Sequence, residues 1–232
     1  MFSVISKSSV ILSSILALSV AHADKHDKNK KAAPTKAEAV AATFNVDTAA
    51  TNLVWKGHKP AVAGSGHEGT IKVKSGALVV KNDEVTSGNV EIDMTTLEVT
   101  DLKGDKAQGL KGHLMSGDFF EVYEAPAKDA PKGTLGKPKY PTASLVITKV
   151  EKSTTPGSTH TVSGTITIKD KPNAISFPAT ISVTKDVLKA KGTLKIDRTK
   201  HDVKFGSTLA GAVGDKFIDD NFTVDVDLTA KK

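Results

Sequence analysis

Three histidines and one arginine could orient the polar end of a bound molecule. His58, His67 and His113 are scattered along the chain and show no H-x-x-x-H spacing, so a metal site is not expected. Arg198 is the single arginine, and its fork of N–H donors suits phosphate or carbonyl oxygens. Two interpretations of Arg198 stay open: contact with a polar head group, and a salt bridge with a neighbouring acid. His113 is also compatible with capping or packing a short helix.

Four aromatic side chains are candidates for contact with an apolar ligand: Trp55, Phe119, Phe120 and Phe177. Each of them is equally compatible with ordinary core packing, because aromatic rings contribute strongly to any core. Phe119 and Phe120 are adjacent, so only one of them is expected to point into a cavity if the backbone there is extended.

Sequence features of an enzyme are missing from the chain. There is no G-x-S-x-G element, no glycine-rich phosphate loop after a strand and no cluster of metal ligands. Cysteine is absent, which excludes a thiol nucleophile and a disulfide framework. The serines, histidines and carboxylates show no arrangement that indicates a catalytic triad. These residues therefore give no indication of an enzyme, and no cofactor is expected to be required.

Charge and composition argue against a nucleic-acid partner. The 232 residues include 32 Lys and Arg against 26 Asp and Glu, giving a formal net charge of +6 and a pI of about 9.3. A nucleic-acid binder usually clusters arginines and aromatics, whereas this chain has one arginine and 5% aromatic residues. The modest basic excess favours solubility and attraction to anionic surfaces.

The first 43 residues predict export followed by a linker. Lys7, the apolar run 10–20 and Ala21-His22-Ala23 form a signal peptide over residues 1–23, and the apolar run is too short to span a bilayer. Residues 24–43 are rich in Lys and Ala without apolar periodicity, which predicts a disordered linker. The expected product is a periplasmic protein without a transmembrane anchor.

From residue 44 to residue 232 the pattern has period two, which is typical of half-buried strands. Phe222, Val224, Val226 and Leu228 alternate with polar residues, and similar alternation marks runs near 53–55, 71–73, 90–94, 166–168, 175–183 and 194–196. Many strands without alternating helices favour an antiparallel barrel or sandwich. Turns are expected at residues 74–76, 82–83, 87–89, 156–158 and 191–192.

One segment departs from period two. Leu110, Leu114 and Met115 have roughly helical spacing, which predicts a short helix within residues 110–120 that ends near Phe119 and Phe120. The Pro- and Gly-rich stretch 125–141 then predicts a loop.

The ordered set of motifs resembles the YceI-like family of secreted bacterial proteins. The most specific pair is HLMSGDFF at 113–120 followed by YPTA at 140–143, and the other matches are GTIKVKSG at 69–76, TTL at 95–97, GTITI at 164–168, DRTK at 197–200 and FGS at 205–207. His58 loosely matches the early histidine of the family. His201-Asp202 stands where the family often has Phe-Gly.

The resemblance implies an all-β, lipocalin-like antiparallel barrel that holds a long isoprenoid, such as a quinone or prenyl-type lipid, or a similar amphiphile. Ligand contacts are expected from eight residues: Trp55, His58, Leu97, His113, Phe119, Phe120, Phe177 and Arg198. The alternatives are a structural or adhesive secreted β-domain with a filled core, an outer-membrane barrel, and an enzyme. A homodimer also stays open.

Overall fold

The computed structural model describes residues 40–131 and 133–232. The signal peptide expected at 1–23 and most of the linker expected at 24–43 lie outside the described residues. The first strand begins at Ala42, so the folded domain starts two residues before the expected boundary at residue 44.

Nine strands and one α-helix make up the described regular structure, together with three short 3₁₀-helices in the connection before the last strand. The strands are β1 (Ala42–Val46), β2 (Asn52–Gly57), β3 (His67–Lys81), β4 (Glu84–Val99), β5 (Thr142–Lys152), β6 (His160–Ile168), β7 (Lys171–Val183), β8 (Val187–Asp197) and β9 (Asn221–Lys231). The helix α1 (Gly104–Met115) connects β4 to β5, and the 3₁₀-helices are Arg198–His201, Thr208–Ala210 and Gly214–Lys216.

The strands form one closed antiparallel barrel, which confirms the expected fold class. Neighbouring strands pair in the order β3, β4, β5, β6, β7, β8 and β9. Both β1 and β2 lie between β9 and β3, so they act as two halves of one interrupted strand in an eight-stranded barrel. Closure leaves the long strands without a free edge for intermolecular pairing.

Side chains alternate between the interior of the barrel and solvent, as the period-two pattern predicts. In β7 the row Ile175, Phe177, Ala179, Ile181 and Val183 points inward, while the residues between them are more exposed. One end of the barrel is filled by apolar side chains, among which Leu188 and Ala230 are fully buried. The turn predicted at residues 156–158 is confirmed at Pro156-Gly157, between β5 and β6.

Three of the expected turns are wrong, because their glycines lie inside strands. Gly76, Gly88 and Gly192 belong to β3, β4 and β8. A Cβ atom on Gly88 would lie 2.4 Å from the Leu78 side chain and 2.9 Å from the Ala77 carbonyl oxygen. The close approach of neighbouring strands, rather than chain reversal, therefore explains this glycine. The turn at Asn82-Asp83 is confirmed, and both residues have positive φ as a two-residue hairpin turn requires.

The helix both begins and ends earlier along the chain than the sequence predicts. It begins at Gly104 rather than near residue 110, and it ends at Met115, before Phe119 and Phe120. Ser116 terminates it, because both its amide and its hydroxyl donate to the carbonyl oxygen of His113. The first turns carry no apolar stripe, so periodicity could not detect them.

Because His201 is buried, we expect mild acidification to destabilise the folded protein. Burial lowers the pKa of His201, outweighing its opposing hydrogen bonds to the backbone of Lys171 and Ile168. Below the ordinary histidine pKa of about 6.5 the unfolded chain therefore takes up a proton more readily than the folded one. From pH 7.5 to pH 5 we expect the free energy of unfolding to fall, by up to about 1.4 kcal/mol per pH unit from this residue.

Urea unfolding at a series of pH values measures this dependence. His201→Gln should flatten the curve between about pH 6.5 and pH 5. Equal curves for wild type and His201→Gln would contradict the assignment.

Candidate ligand-binding cavity

The barrel encloses a cavity of about 710 Å³ in the half towards which β2, β4 and β8 run. Its wall is built from inward rows of β2, β3, β4, β5, β6, β8 and β9. The lining residues include Leu53, Ile71, Val73, Val90, Ile92, Met94, Leu145, Ile166, Ile168, Leu194, Ile196, Val224, Val226 and Leu228. The inward side chains therefore leave an open space in this half of the barrel. At the opposite end, around Leu188 and Ala230, apolar side chains fill the interior, and we call this the closed end. An apolar pocket of this volume is typical of small-molecule sites.

Polar side chains line the cavity only around its open end, which we call the mouth and define by His58, Lys59, Ser65, His67, His113, Asp215 and Asp219. The mouth lies where β2, β4 and β8 end and where β3, β5 and β9 begin. Polar groups restricted to one end of an apolar cavity can orient an amphiphile, with its chain inside and its head outside.

Two histidines of the mouth are paired with carboxylates. Nδ1 of His67 lies 2.8 Å from Oδ2 of Asp101, and Nε2 of His58 lies 3.5 Å from Oδ2 of Asp219. Burial raises the pKa of Asp101, but hydrogen bonds from His67 and the Glu68 amide outweigh this effect and lower the pKa overall. Each pair keeps an imidazole in place at the rim and leaves it accessible to a polar group.

A cluster of aromatic rings covers part of the mouth. The His113 ring makes edge contacts with Phe119 and Phe205, at centroid distances of 5.0 Å and 4.8 Å. Phe120 contacts Phe222 of β9 at 5.8 Å. Phe119 and Phe120 both line the cavity. They lie in a turn rather than in extended backbone, so the expectation that only one of the two rings points inward does not apply.

Arg198 borders the cavity, but its donors are used inside the protein. Nε donates to Asp219 O, one terminal nitrogen to Val203 O and Phe205 O, and the other to Ile218 O and the Asp220 carboxylate, at 2.8 to 3.3 Å. The side chain is 3% exposed. With five donors satisfied, the geometry favours the salt-bridge interpretation over the head-group contact: Arg198 holds the connection from β8 to β9 in place, with Asp220 as its acidic partner.

Seven of the eight expected ligand residues line the cavity: Trp55, His58, Leu97, His113, Phe119, Phe120 and Arg198. Phe177 does not line it. Phe177 instead borders a smaller cavity of about 60 Å³ towards the closed end, together with Val162 and Leu188. Its register opposite Val162 places it below the main cavity, so its role is packing rather than contact with a guest in that cavity.

Phe177→Leu tests this corrected role. We expect the free energy of unfolding to fall by about 1 kcal/mol, because a smaller apolar side chain leaves a gap in the closed end. The dissociation constant for a guest in the main cavity should change less than twofold in a fluorescence titration. A tenfold loss of affinity without further loss of stability would restore the direct-contact interpretation.

Several cavity-lining residues in and beside the mouth were not predicted from the sequence. Val62 and Ser65 come from the connection between β2 and β3, and Phe205, Ile218 and Asp219 come from the connection between β8 and β9. These connections have no periodic pattern. The only available signal was the FGS motif at 205–207, which marked the second connection without indicating which side chain turns inward.

The described part of the chain contains neither a cluster of metal ligands nor a membrane-spanning helix. Residues 40–131 and 133–232 contain no group of three or more His, Asp or Glu side chains arranged to hold a metal ion. No helix within those residues is both long and apolar enough to cross a bilayer.

The sequence model of the YceI-like domain matches residues 44–230, which is most of the chain. The chain belongs to the YceI-like family. The match includes all the strands that form the YceI-like barrel, with only the first two residues of β1 and the last residue of β9 outside it. No curated protein matches the sequence.

One solved structure agrees with this barrel fold. Burkholderia cenocepacia BcnA is similar at 20% identity, with a TM-score of 0.54 over 80% of this chain and 99% of that one. A Campylobacter jejuni YCEI protein is similar at 17% identity, with a TM-score of 0.44 over 91% of this chain and 94% of that one. At these identities the likeness to BcnA supports the fold alone.

Proposed function

We propose that this protein is a periplasmic carrier or buffer for a long isoprenoid, of the quinone or prenyl type, or for a similar amphiphilic lipid. The chain of the lipid lies in the barrel and its polar end lies at the mouth. We also propose that the protein performs no reaction on this guest. One observation carries the proposal: the cavity of about 710 Å³ has an apolar wall, and its polar side chains are confined to one end.

Burial of apolar surface supplies the binding energy in this proposal. Each CH₂ group moved from water into an apolar site contributes roughly 0.8 kcal/mol. A prenyl chain therefore binds well without a dense set of hydrogen bonds. The paired histidines at the mouth, His58 and His67, each have a second ring nitrogen for the head group. This nitrogen accepts from a hydroxyl when the imidazole is neutral and donates to a carbonyl when the imidazole is protonated.

The single tryptophan of the chain provides a direct probe of this site. Trp55 lines the cavity, and its indole N–H donates to Glu98 O at 3.0 Å. Titration with prenylated benzoquinones of increasing tail length should quench Trp55 fluorescence saturably. Each added prenyl unit should tighten binding at least tenfold until the cavity is full.

The matched control ligand is the same quinone without its tail. It should bind at least a hundredfold more weakly, because only the apolar chain gains from the cavity. Equal affinity for the tailed and tail-free quinones, or no saturable quenching by either, would contradict the proposal.

The periplasmic location rests on the signal peptide expected at 1–23 and has its own test. Osmotic shock of the producing cells should release the protein with the periplasmic fraction. Recovery only in the cytoplasm after osmotic shock would contradict this part of the proposal, and recovery only with washed membranes would favour an outer-membrane location.

A further inference from the structure

Exposed apolar side chains are concentrated beside the mouth. Among the described residues, seven large apolar side chains are exposed, and four of these lie in the two connections that border the mouth. Leu209 and Val213 are the most exposed of the four, at 72% and 75%, followed by Phe205 and Val62. A local concentration of exposed apolar groups on a folded protein is typical of an interaction surface.

The two connections are held together as one surface. The Asp219 amide donates to His58 O at 3.0 Å, which joins the connection 58–66 to the connection 198–220. The Ile218 amide donates to Gly206 O at 2.8 Å and closes the base of the segment 207–217. Arg198 fixes the same base through the carbonyl groups of Val203, Phe205, Ile218 and Asp219. Leu209 and Val213 therefore project from an anchored loop.

The composition of the projecting segments indicates what they contact. Residues 60–66 (PAVAGSG) and 207–214 (STLAGAVG) contain no charged side chain, and Lys59, Lys204 and Lys216 flank them. Lys204 pairs with Asp202 at 2.7 Å, and Asp215 lies beside Lys216, so the flanks have little net charge. Apolar tips flanked by lysines suit the boundary between lipid head groups and acyl chains, where lysine side chains reach back to water.

The apolar surface is also continuous with the cavity. Phe205 and Val62 both line the cavity and are solvent-exposed, at 45% and 37%. When the tips enter a bilayer, these two side chains connect the acyl layer to the inner wall of the barrel. A long lipid then moves between membrane and cavity along apolar surface, without its chain crossing water.

We propose that the mouth docks on a phospholipid bilayer through Val62, Phe205, Leu209 and Val213. This inference rests on the proposed function, because docking supplies the route by which a lipid enters and leaves the barrel. The contact depends mainly on apolar insertion, so it requires no high content of anionic lipid.

Flotation with phospholipid vesicles tests the docking surface. The protein recovered from its host cells is mixed with vesicles of phosphatidylethanolamine and phosphatidylglycerol in a 3:1 ratio. Wild type should float with the vesicles, and Leu209→Asp/Val213→Asp should bind at least tenfold more weakly. Val146→Asp is the matched control, because Val146 is 45% exposed on the outer face of β5 and does not line the cavity. Its vesicle binding should stay within twofold of wild type.

Ligand binding in solution separates this inference from the proposed function. The double variant should quench with prenylated quinone as wild type does, and its melting temperature should be unchanged because both replaced side chains are mostly exposed. Equal flotation of wild type and double variant, or no flotation of either, would overturn docking while leaving the carrier function intact. Docking would also be overturned if the wild type is a dimer that does not bind vesicles and the double variant is a monomer. The apolar surface would then contact a second copy of this chain.

Discussion

Replacing Arg198 by lysine is expected to lower the free energy of unfolding by about 3 kcal/mol. Arg198 donates to four backbone carbonyl groups and one carboxylate within the connection that forms part of the mouth. A lysine keeps the positive charge but has three donors on one atom, so it cannot reach acceptors spread around the planar fork. Buried carbonyl groups then lose their partners, and each such loss costs about 1–3 kcal/mol.

Urea unfolding measures the loss of stability, and amide hydrogen exchange locates it. We expect exchange of the Ile218 amide, which closes the loop base onto Gly206, to accelerate more than that of amides in the closed end. Lys189→Gln, on the exposed face of β8, should change stability by no more than about 0.5 kcal/mol. An Arg198→Lys variant as stable as the Lys189→Gln control would refute the role of the guanidinium in anchoring the mouth.

The second large effect concerns ligand affinity. Val224→Trp should weaken the binding of a prenylated quinone by about a hundredfold. Val224 lines the cavity between Trp55 of β2 and Leu194 of β8, so an indole ring there occupies space that the guest needs. Displacing three or four CH₂ groups of the guest removes about 3 kcal/mol, which corresponds to this change in affinity.

The stability of Val224→Trp without ligand should not fall along with its affinity. Because the ring fills an existing void, the free energy of unfolding without ligand should stay within about 1 kcal/mol of wild type or rise. Val54→Trp is the matched control: Val54 precedes Trp55 in β2 and lies on its outer face, opposite Asp225 of β9. Val54→Trp should bind the quinone as wild type does. Equal affinities for all three proteins would show that the cavity is not the binding site.

The barrel was predictable because alternation along a strand directly reports the side that faces a core. The row Phe222, Val224, Val226 and Leu228 identified β9 and its inward face from the sequence alone. Glycines inside strands were the systematic error. Gly88 permits two strand backbones to approach closely, and from sequence this looks the same as a turn residue.

The site was predictable only where a side chain belongs to a strand or to a family motif. Trp55 and Leu97 face the cavity because strand geometry alternates, and the HLMSGDFF motif identified His113, Phe119 and Phe120. Phe177 obeys the same alternation, but its depth along the barrel depends on strand register, which alternation does not specify. The interactions of Arg198 come from a connection without periodicity, where contacts depend on tertiary structure.

Solvent extraction of the protein purified from its host cells without added lipid, followed by mass spectrometry, tests the central claim most directly. The cavity predicts close to one long-chain apolar lipid per protein in wild type and in Val54→Trp, and much less in Val224→Trp. Recovery of no lipid from wild type, together with failure of the protein to take up added prenylated quinone, would contradict the account.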